Sequence, residues 1–252
     1  MQCRKTKKLS PAKEIAYIAV ACALLIGAQY VFSFISGVEI VTLLFICFAY
    51  KFGIRDGVIC AVAFSLLRCI IFGFYPTVIV LYLIYYPSLC TIFGALGHLK
   101  KSTFEKYPWY FAVAVNALLL GTAVISAVCC GCGLIKVSQV YRNTVYALLW
   151  VIFSLCTVLC IIFDGLLTAK KVFKKNTANA LKIITFASIA AVCTISFTLL
   201  DDLITPLFFG YSRMTALAYF YASFTAMLPQ TVCTIVTIST LFAPLNSVLE
   251  KV

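Results

Sequence analysis

Long apolar stretches separated by short polar or basic segments dominate the chain. Eight of them predict membrane-spanning helices, at 14–35, 38–50, 56–73, 76–97, 108–131, 143–168, 183–204 and 214–243. A helix of about 20 apolar residues crosses the hydrocarbon core of a bilayer. The runs also lack the residue-by-residue polar alternation that is typical of a membrane β-barrel. The pattern therefore predicts an all-α, polytopic membrane helix bundle that forms one integral membrane domain over 1–252.

Composition supports the membrane class. The chain is 63% hydrophobic and only 11% charged, and its mean hydropathy is +1.07. A soluble domain of this length needs more polar surface. The first apolar run follows a basic segment, Met1 to Lys13, and has no small-residue cleavage site. We therefore expect a retained helix rather than a removed signal peptide.

The net charge of +12 is best explained by the membrane topology. If the N-terminus is cytoplasmic, 16 of the 20 basic residues fall on the cytoplasmic side of the predicted spans. The four exceptions are Arg68, Lys136, Arg142 and Arg213. Cytoplasmic loops of membrane proteins carry such an excess of Lys and Arg. We therefore expect a multi-pass protein of the cell membrane with both termini in the cytoplasm, and no nucleic-acid partner.

The 13 cysteines do not form a convincing metal motif. Most lie within predicted spans, where Cys behaves as a small apolar residue. Cys129, Cys130 and Cys132 cluster near a helix end, without a nearby His or a second pair of closely spaced cysteines. Structural zinc sites take four Cys or His ligands, and catalytic ones take three protein ligands that usually include His. We expect neither a metal nor a cofactor.

Glu39 opens the shortest of the predicted spans. The span 38–50 has 13 residues, which reach about 20 Å at 1.5 Å per residue and fall short of a ~30 Å hydrocarbon core. Glu39 is therefore expected at the rim of a pocket, and a charge at such a depth is usually functional. Arg68 is either its internal partner or a side chain that extends towards the membrane surface.

Tyrosines cluster in the fourth span, at Tyr82, Tyr85 and Tyr86, next to Pro87. Proline inside a helix predicts a kink. Tyrosines near a membrane interface commonly form an aromatic belt. Several of them beside a kink can also line a pocket for a flat ring, and both interpretations remain open.

Polar residues return at the end of the seventh span and in the eighth. Asp201 and Asp202 come first, and Tyr219 and Gln230 follow in the last span. The predicted topology places the acidic pair on the same outer side as Glu39. The candidate solute-binding residues are Glu39, Arg68, Tyr82, Tyr86, Asp201, Asp202, Tyr219 and Gln230.

Small residues recur at helical spacing along the first span, which includes Ala16, Ala19, Ala23 and Gly27. Such a face lets a second helix approach closely in a membrane. It serves either internal packing or the docking of a partner membrane protein. For docking, we select Ala16, Ala19 and Ala23.

Several short motifs occur in a characteristic order. They are Ala19-xxx-Ala23, the segment 37–44, the turn 52–57, the aromatic fourth span after Tyr75, and the stretch from Pro229-Gln230 to Pro244-Leu245. In these motifs, most clearly over 12–97, the chain resembles the substrate-binding S component of energy-coupling factor (ECF) vitamin transporters.

The resemblance implies a six-helix core that binds a vitamin or its precursor at the outer face. Such a protein topples in the bilayer upon a membrane scaffold subunit, which two ATPase subunits drive, and the Ala face would meet the scaffold. Residues 14–97 would be the N-terminal spans of this core and 183–245 the C-terminal spans. Eight spans instead of six imply an inserted helical hairpin over 108–168.

Other functions remain open to different degrees. An ion-coupled secondary transporter often contains inverted repeats, but 14–97 and 143–243 show no convincing match. An enzyme is not expected, because His98 is the only histidine and the chain has no HExxH, GxSxG or Walker A motif. We therefore predict no catalytic residues. A non-catalytic membrane assembly protein is the other alternative.

Overall fold

The computed structural model describes residues 10–35, 37–98, 108–131, 139–172 and 177–249. Regular secondary structure in these ranges is helical, without a β-strand. The helices are α1 (Pro11–Phe32), α2 (Ile40–Phe52), α3 (Ile54–Phe72), α4 (Pro76–His98), α5 (Pro108–Gly131), α6 (Gln139–Val172), α7 (Thr177–Phe209) and α8 (Arg213–Leu249). The predicted all-α class is confirmed.

The last three helices are longer than the spans predicted for them. α6 has 34 residues, α7 has 33 and α8 has 37. α7 continues past the predicted end at residue 204, through Pro206 to Phe209. Proline removes one backbone donor from the helix, and the apolar residues after it continue the helix for another turn. Hydropathy marks the membrane-embedded part of a helix and not its full length.

In the described part of the chain, five helical segments are long and apolar enough to cross a membrane by length and composition. They are Pro11–Phe32, Pro76–His98, Val145–Leu166, Ala180–Phe209 and Arg213–Leu249. α2 is too short at 13 residues, and α3 contains three charged residues among its 19. The chain is thus a multi-helix membrane protein, and its count of eight spans stays a prediction.

Large apolar side chains face outwards along the helices. Ile15 is 68% exposed, Ile70 is 80% exposed and Leu207 is 74% exposed. In water such surfaces would promote association. In a bilayer they contact lipid tails of the same polarity, as the surfaces of membrane helices do.

The described residues divide into two compact units. Unit 1 contains α1–α4 together with Pro244–Leu249, and unit 2 contains α5, α6, α7 and α8 up to Ala243. In unit 1, three aromatic rings form the centre of the core. The Phe45 ring stacks on Tyr86, with centroids 4.5 Å apart, and Phe64 meets both rings edge-on.

Contacts along the helices show how unit 1 is arranged. α1 and α3 run parallel, because Glu14 meets Arg55 near their first turns and Tyr30 meets Phe72 near their ends. α4 runs antiparallel to α3, since Gly94 lies beside Ile54 and Tyr82 beside Phe64. The end of α1, the start of α2, the end of α3 and the start of α4 therefore share one end of the unit.

The turn between α2 and α3 packs closely on α4. Gly53 has φ +93° and separates the two helices, a conformation that favours glycine. A Cβ atom at Gly94 would lie 2.7 Å from the backbone nitrogen of Ile54, and one at Gly97 would collide with the carbonyl oxygen of Tyr50. Both glycines of α4 therefore allow a close backbone approach at this end of unit 1.

Polar contacts also join helices in unit 2. Asn116 Nδ2 of α5 donates to Asp164 Oδ1 of α6 at 2.8 Å. The hydroxyls of Thr194 in α7 and Thr234 in α8 lie 3.1 Å apart and form a buried hydrogen bond. Hydrogen bonds between membrane helices contribute about 0.6–2 kcal/mol each, so these contacts fix helix register within an otherwise apolar unit.

Candidate functional site

Polar residues from four helices meet at one end of unit 1. Gln29 lies near the end of α1, Glu39 immediately precedes α2, Arg68 lies near the end of α3, and Tyr82 and Tyr86 lie in the first half of α4. The alternating helix directions bring these positions together. We call Gln29, Glu39, Arg68, Tyr82 and Tyr86 the Arg68 cluster.

Arg68 turns towards the interior of unit 1. Its guanidinium carbon lies 4.6 Å from the centroid of the Tyr82 ring and 5.5 Å from that of Phe72. Its Nε is buried and has no hydrogen-bond partner among the described residues. A guanidinium over an aromatic face is stabilised by the ring quadrupole. The Arg68 side chain therefore packs on aromatic rings of α3 and α4.

The hydroxyl of Tyr82 connects the cluster. Gln29 Nε2 donates to it at 3.2 Å, and Arg68 and Glu39 both interact with it electrostatically. Glu39 also interacts with Tyr86 and accepts a hydrogen bond from Thr42 Oγ1 at 3.0 Å. An acid, a cation, an amide and a second phenol are thus gathered around the Tyr82 side chain.

The tyrosines of α4 are interior residues. Tyr82 is 9% exposed, Tyr85 is 8% exposed and Tyr86 is 4% exposed. The rings of Tyr82 and Tyr86 meet edge-on, with centroids 4.9 Å apart. An interfacial belt needs exposed rings, so of the two interpretations the structure supports an aromatic wall inside the helix bundle.

The other candidate solute residues belong to unit 2. Asp201 accepts hydrogen bonds from Tyr219 at 2.7 Å and from Thr205 at 2.8 Å. Asp202 accepts one from Ser223 at 2.7 Å. Asp201, Asp202 and Tyr219 therefore form one local group, which joins α7 to α8.

Gln230 lies apart from this group. It follows Tyr219 by eleven residues on α8, which corresponds to about 16 Å along the helix. Its backbone carbonyl accepts a hydrogen bond from Thr234 at 2.9 Å. Gln230 therefore lies further along α8 than Tyr219, the residue of this helix that bonds to Asp201.

Three residues that contact the predicted site were not selected from the sequence. Gln29 and Thr42 bond to members of the Arg68 cluster, and Ser223 bonds to Asp202. A glutamine inside an apolar span was a usable signal for the first. Threonine and serine are common in membrane helices, where they bond to the backbone, so their presence alone carried no information.

The small residues of α1 border an open groove. Ala19, Ala23 and Gly27 line an apolar groove of about 830 Å³, and Ala63 and Leu67 of α3 lie opposite. Ala16 is exposed on the same helix, beyond the lining of this groove. Among the residues that the structure describes, none fills the groove that these small side chains leave.

Among the described residues, no three His, Cys, Asp or Glu side chains come together to hold a metal ion. The side chains of Cys129, Cys130 and Cys132 lie outside the residues whose side chains are described.

Comparisons with protein-family models, with curated proteins and with solved structures found no match.

Proposed function

We propose that this membrane protein is the substrate-capture (S) subunit of an ECF-type importer, which binds a vitamin or cofactor precursor at the outer face. The observation that carries the proposal is the position of Arg68 over the Tyr82 ring, with Gln29 bonded to the hydroxyl of that tyrosine and Glu39 close enough to interact with it electrostatically. Ionisable residues inside a membrane bundle mark solute or ion pathways. The sequence resemblance supplies the transporter class.

The chemistry of the cluster suits a flat, polar heterocycle. Tyr82 and Tyr86 offer aromatic surfaces, which stack on rings. Arg68 donates hydrogen bonds, Glu39 accepts them, and Gln29 does both. Gln29 Oε1 and Arg68 Nε are buried without hydrogen-bond partners among the described residues. A solute with both donor and acceptor groups on a ring complements this set.

The groove on α1 and α3 suits the docking of a scaffold subunit. It is apolar, and Ala19 and Ala23 allow a foreign helix to approach closely. The chain has no Walker A motif, so the ATP that drives uptake must be hydrolysed by other subunits. In this proposal the partners are the membrane scaffold, two ATPase subunits and the lipid bilayer.

Native mass spectrometry of the purified chain tests solute capture. We expect the wild type to retain a small organic molecule and Arg68→Gln to lose it. Arg213→Gln is the matched control, because Arg213 is an exposed arginine of unit 2, and it should retain the molecule. Equal retention by all three proteins contradicts the site.

An uptake assay tests the energy source. Uptake of the identified molecule should require co-expression of an ECF scaffold and its ATPases. Accumulation by this chain alone, driven by a proton or sodium gradient, would identify a secondary transporter instead. Absence of uptake in both settings, with solute binding intact, would favour a non-transport role in assembly.

A further inference from the structure

Two overlapping pairs of polar residues lie on one side of α7, and a hydrogen bond joins the members of only one pair. Asp201 and Thr205 are four residues apart, and Thr205 donates to Asp201 Oδ1 at 2.8 Å. Thr198 and Asp202 have the same spacing, which places side chains next to each other on a helix. Thr198 Oγ1 and Asp202 Oδ1 are nevertheless both buried without a hydrogen-bond partner among the described residues.

Thr198 is one of two buried hydroxyl residues of α7 without a hydrogen-bond partner among the described residues, and the other is Ser188. Thr185, Thr194 and Ser196 each donate to the backbone carbonyl four residues earlier, at 2.7, 3.0 and 2.8 Å respectively. This bond is the usual way to satisfy a hydroxyl inside an apolar helix bundle. Thr198 is only 8% exposed and does not make it. Four residues after Thr198 comes Asp202 with its own unpartnered Oδ1, whereas four residues after Ser188 comes Val192. Two unpartnered oxygens next to each other point to a ligand on the side of Asp202.

α8 supplies a third oxygen. Ser223 Oγ donates to Asp202 Oδ2 at 2.7 Å and lies 2.8 Å from the carbonyl oxygen of Phe220. Asp201, in contrast, has both carboxylate oxygens bonded to hydroxyls, from Thr205 and Tyr219. Asp202 therefore keeps one oxygen available. Ser223 places a hydroxyl oxygen on the same carboxylate, and Thr198 has an unpartnered hydroxyl one helical turn before it.

The charge of this group is not balanced by a described basic residue. Arg213 is exposed and forms no ion pair with Asp201 or Asp202 within the described part of the chain. Lys182 precedes Asp202 by 20 residues on α7, which is about 30 Å along the helix. A carboxylate inside a membrane helix needs a counter-charge.

We infer that Asp202, Thr198 and Ser223 bind a small monovalent cation, Na⁺, between α7 and α8. Carboxylate and hydroxyl oxygens are hard ligands, which suit such cations rather than metals that prefer Cys or His. One available carboxylate neutralises one positive charge, which favours Na⁺ over a divalent ion. This site lies in unit 2 and goes beyond the solute capture that we propose for the Arg68 cluster.

The test is the thermal unfolding of the purified full-length protein in detergent. NaCl is titrated against choline chloride at constant ionic strength, and the same series is run with KCl. At about ten times the dissociation constant, bound Na⁺ should raise the unfolding midpoint by roughly 3–6 °C. K⁺ should raise it less.

Three variants locate the effect. Asp202→Asn should abolish the Na⁺ shift, and Thr198→Val, which keeps the side-chain shape, should raise the half-saturating concentration at least about tenfold. Asp164→Asn is the matched control, because Asp164 is an exposed acid on α6, and its Na⁺ shift should equal that of the wild type. If Asp202→Asn does not fold, Thr198→Val carries the test.

Three results would overturn the inference. The first is a midpoint that depends on ionic strength and not on Na⁺. The second is an equal Na⁺ shift in the wild type and Thr198→Val. The third is stabilisation by acid without any response to Na⁺, which would mean that a proton neutralises Asp202.

Discussion

The guanidinium carbon of Arg68 lies 4.6 Å from the centroid of the Tyr82 ring. The same tyrosine accepts a hydrogen bond from Gln29, 53 residues earlier in the chain. One aromatic side chain of α4 therefore connects the ends of α1 and α3. The Tyr82 side chain thus makes two separable contacts. Its ring lies against the Arg68 guanidinium, and its hydroxyl accepts the hydrogen bond from the Gln29 amide.

Substitutions at Tyr82 separate these contacts. Tyr82→Phe keeps the ring and removes the hydroxyl, so unfolding should become easier by about 1 kcal/mol, the usual net value of a hydrogen bond. Tyr82→Leu also removes the ring, which adds roughly 0.5–2 kcal/mol for the lost cation–π contact. The measurement is the thermal unfolding midpoint of each purified variant.

Tyr75→Phe is the control for the hydroxyl, because Tyr75 is 58% exposed. Its midpoint should match that of the wild type. Equal midpoints for Tyr82→Phe and Tyr82→Leu would show that the Arg68–ring contact contributes nothing to stability.

Glu39 should contribute to the binding of the retained solute. Glu39→Gln keeps the size of the side chain and removes its charge. Loss of a hydrogen bond to a charged group costs about 1.5–3 kcal/mol, or roughly a ten- to hundredfold rise in the dissociation constant. The measurement is titration of the ligand-free variant with the solute identified by mass spectrometry.

Glu14→Gln is the matched control for Glu39. Glu14 pairs with Arg55 at 3.5 Å near the start of α1, at the opposite end of unit 1. The Glu14→Gln variant should bind the solute with the affinity of the wild type. Unchanged affinity in a folded Glu39→Gln variant would remove Glu39 from the site and leave it a structural role beside Tyr82.

Gly94 should be intolerant of a side chain. In Gly94→Ala the new Cβ would lie 2.7 Å from the nitrogen and 2.8 Å from the Cα of Ile54. Backbone cannot move aside as a flexible side chain can, so we expect a loss of about 1–3 kcal/mol, typical of overpacking. The measurement is the unfolding midpoint.

Gly27→Ala is its control. A Cβ at Gly27 would have no atom within 4 Å, and alanine favours a helix over glycine by roughly 0.5–1 kcal/mol. The unfolding midpoint of Gly27→Ala should therefore equal or exceed that of the wild type. A fall in Gly27→Ala equal to that in Gly94→Ala would mean that glycine flexibility, and not the approach of α3, governs both positions.

The charged members of the site could be selected from the sequence, but their arrangement could not. Glu39 and Arg68 stand out because charges are rare in apolar spans. Their common neighbour Tyr82 depends on helix directions and on which face each helix buries. In a membrane, both faces are apolar, so hydrophobic periodicity no longer identifies the buried one.

Asn116 and Asp164 illustrate the same limit. Their side chains bond at 2.8 Å although they are 48 residues apart. Each is a polar residue in its own apolar run, and nothing in either run identifies the other. The candidate residues in α7 and α8 likewise stand out as polar in the sequence, but only the structure shows that Asp201 bonds to Tyr219 and Asp202 to Ser223.

The groove between α1 and α3 supports a final prediction, about docking. Ala23→Trp and Ala19→Leu would place bulky side chains in the furrow that these alanines line. If a scaffold helix packs there, close approach is lost and transport by the assembled complex should fall at least about tenfold, which corresponds to 1.4 kcal/mol. Solute binding by the isolated chain should persist, because the Arg68 cluster does not line the groove.

Val20→Trp is the matched control for this prediction. Val20 is 59% exposed on the same helix but does not line the groove. A large ring there should leave transport unchanged. The comparison separates docking from insertion into the bilayer, because Val20→Trp and Ala23→Trp add the same ring to an exposed position of α1. Equal transport by both would mean that lipid, and not a partner helix, covers the groove.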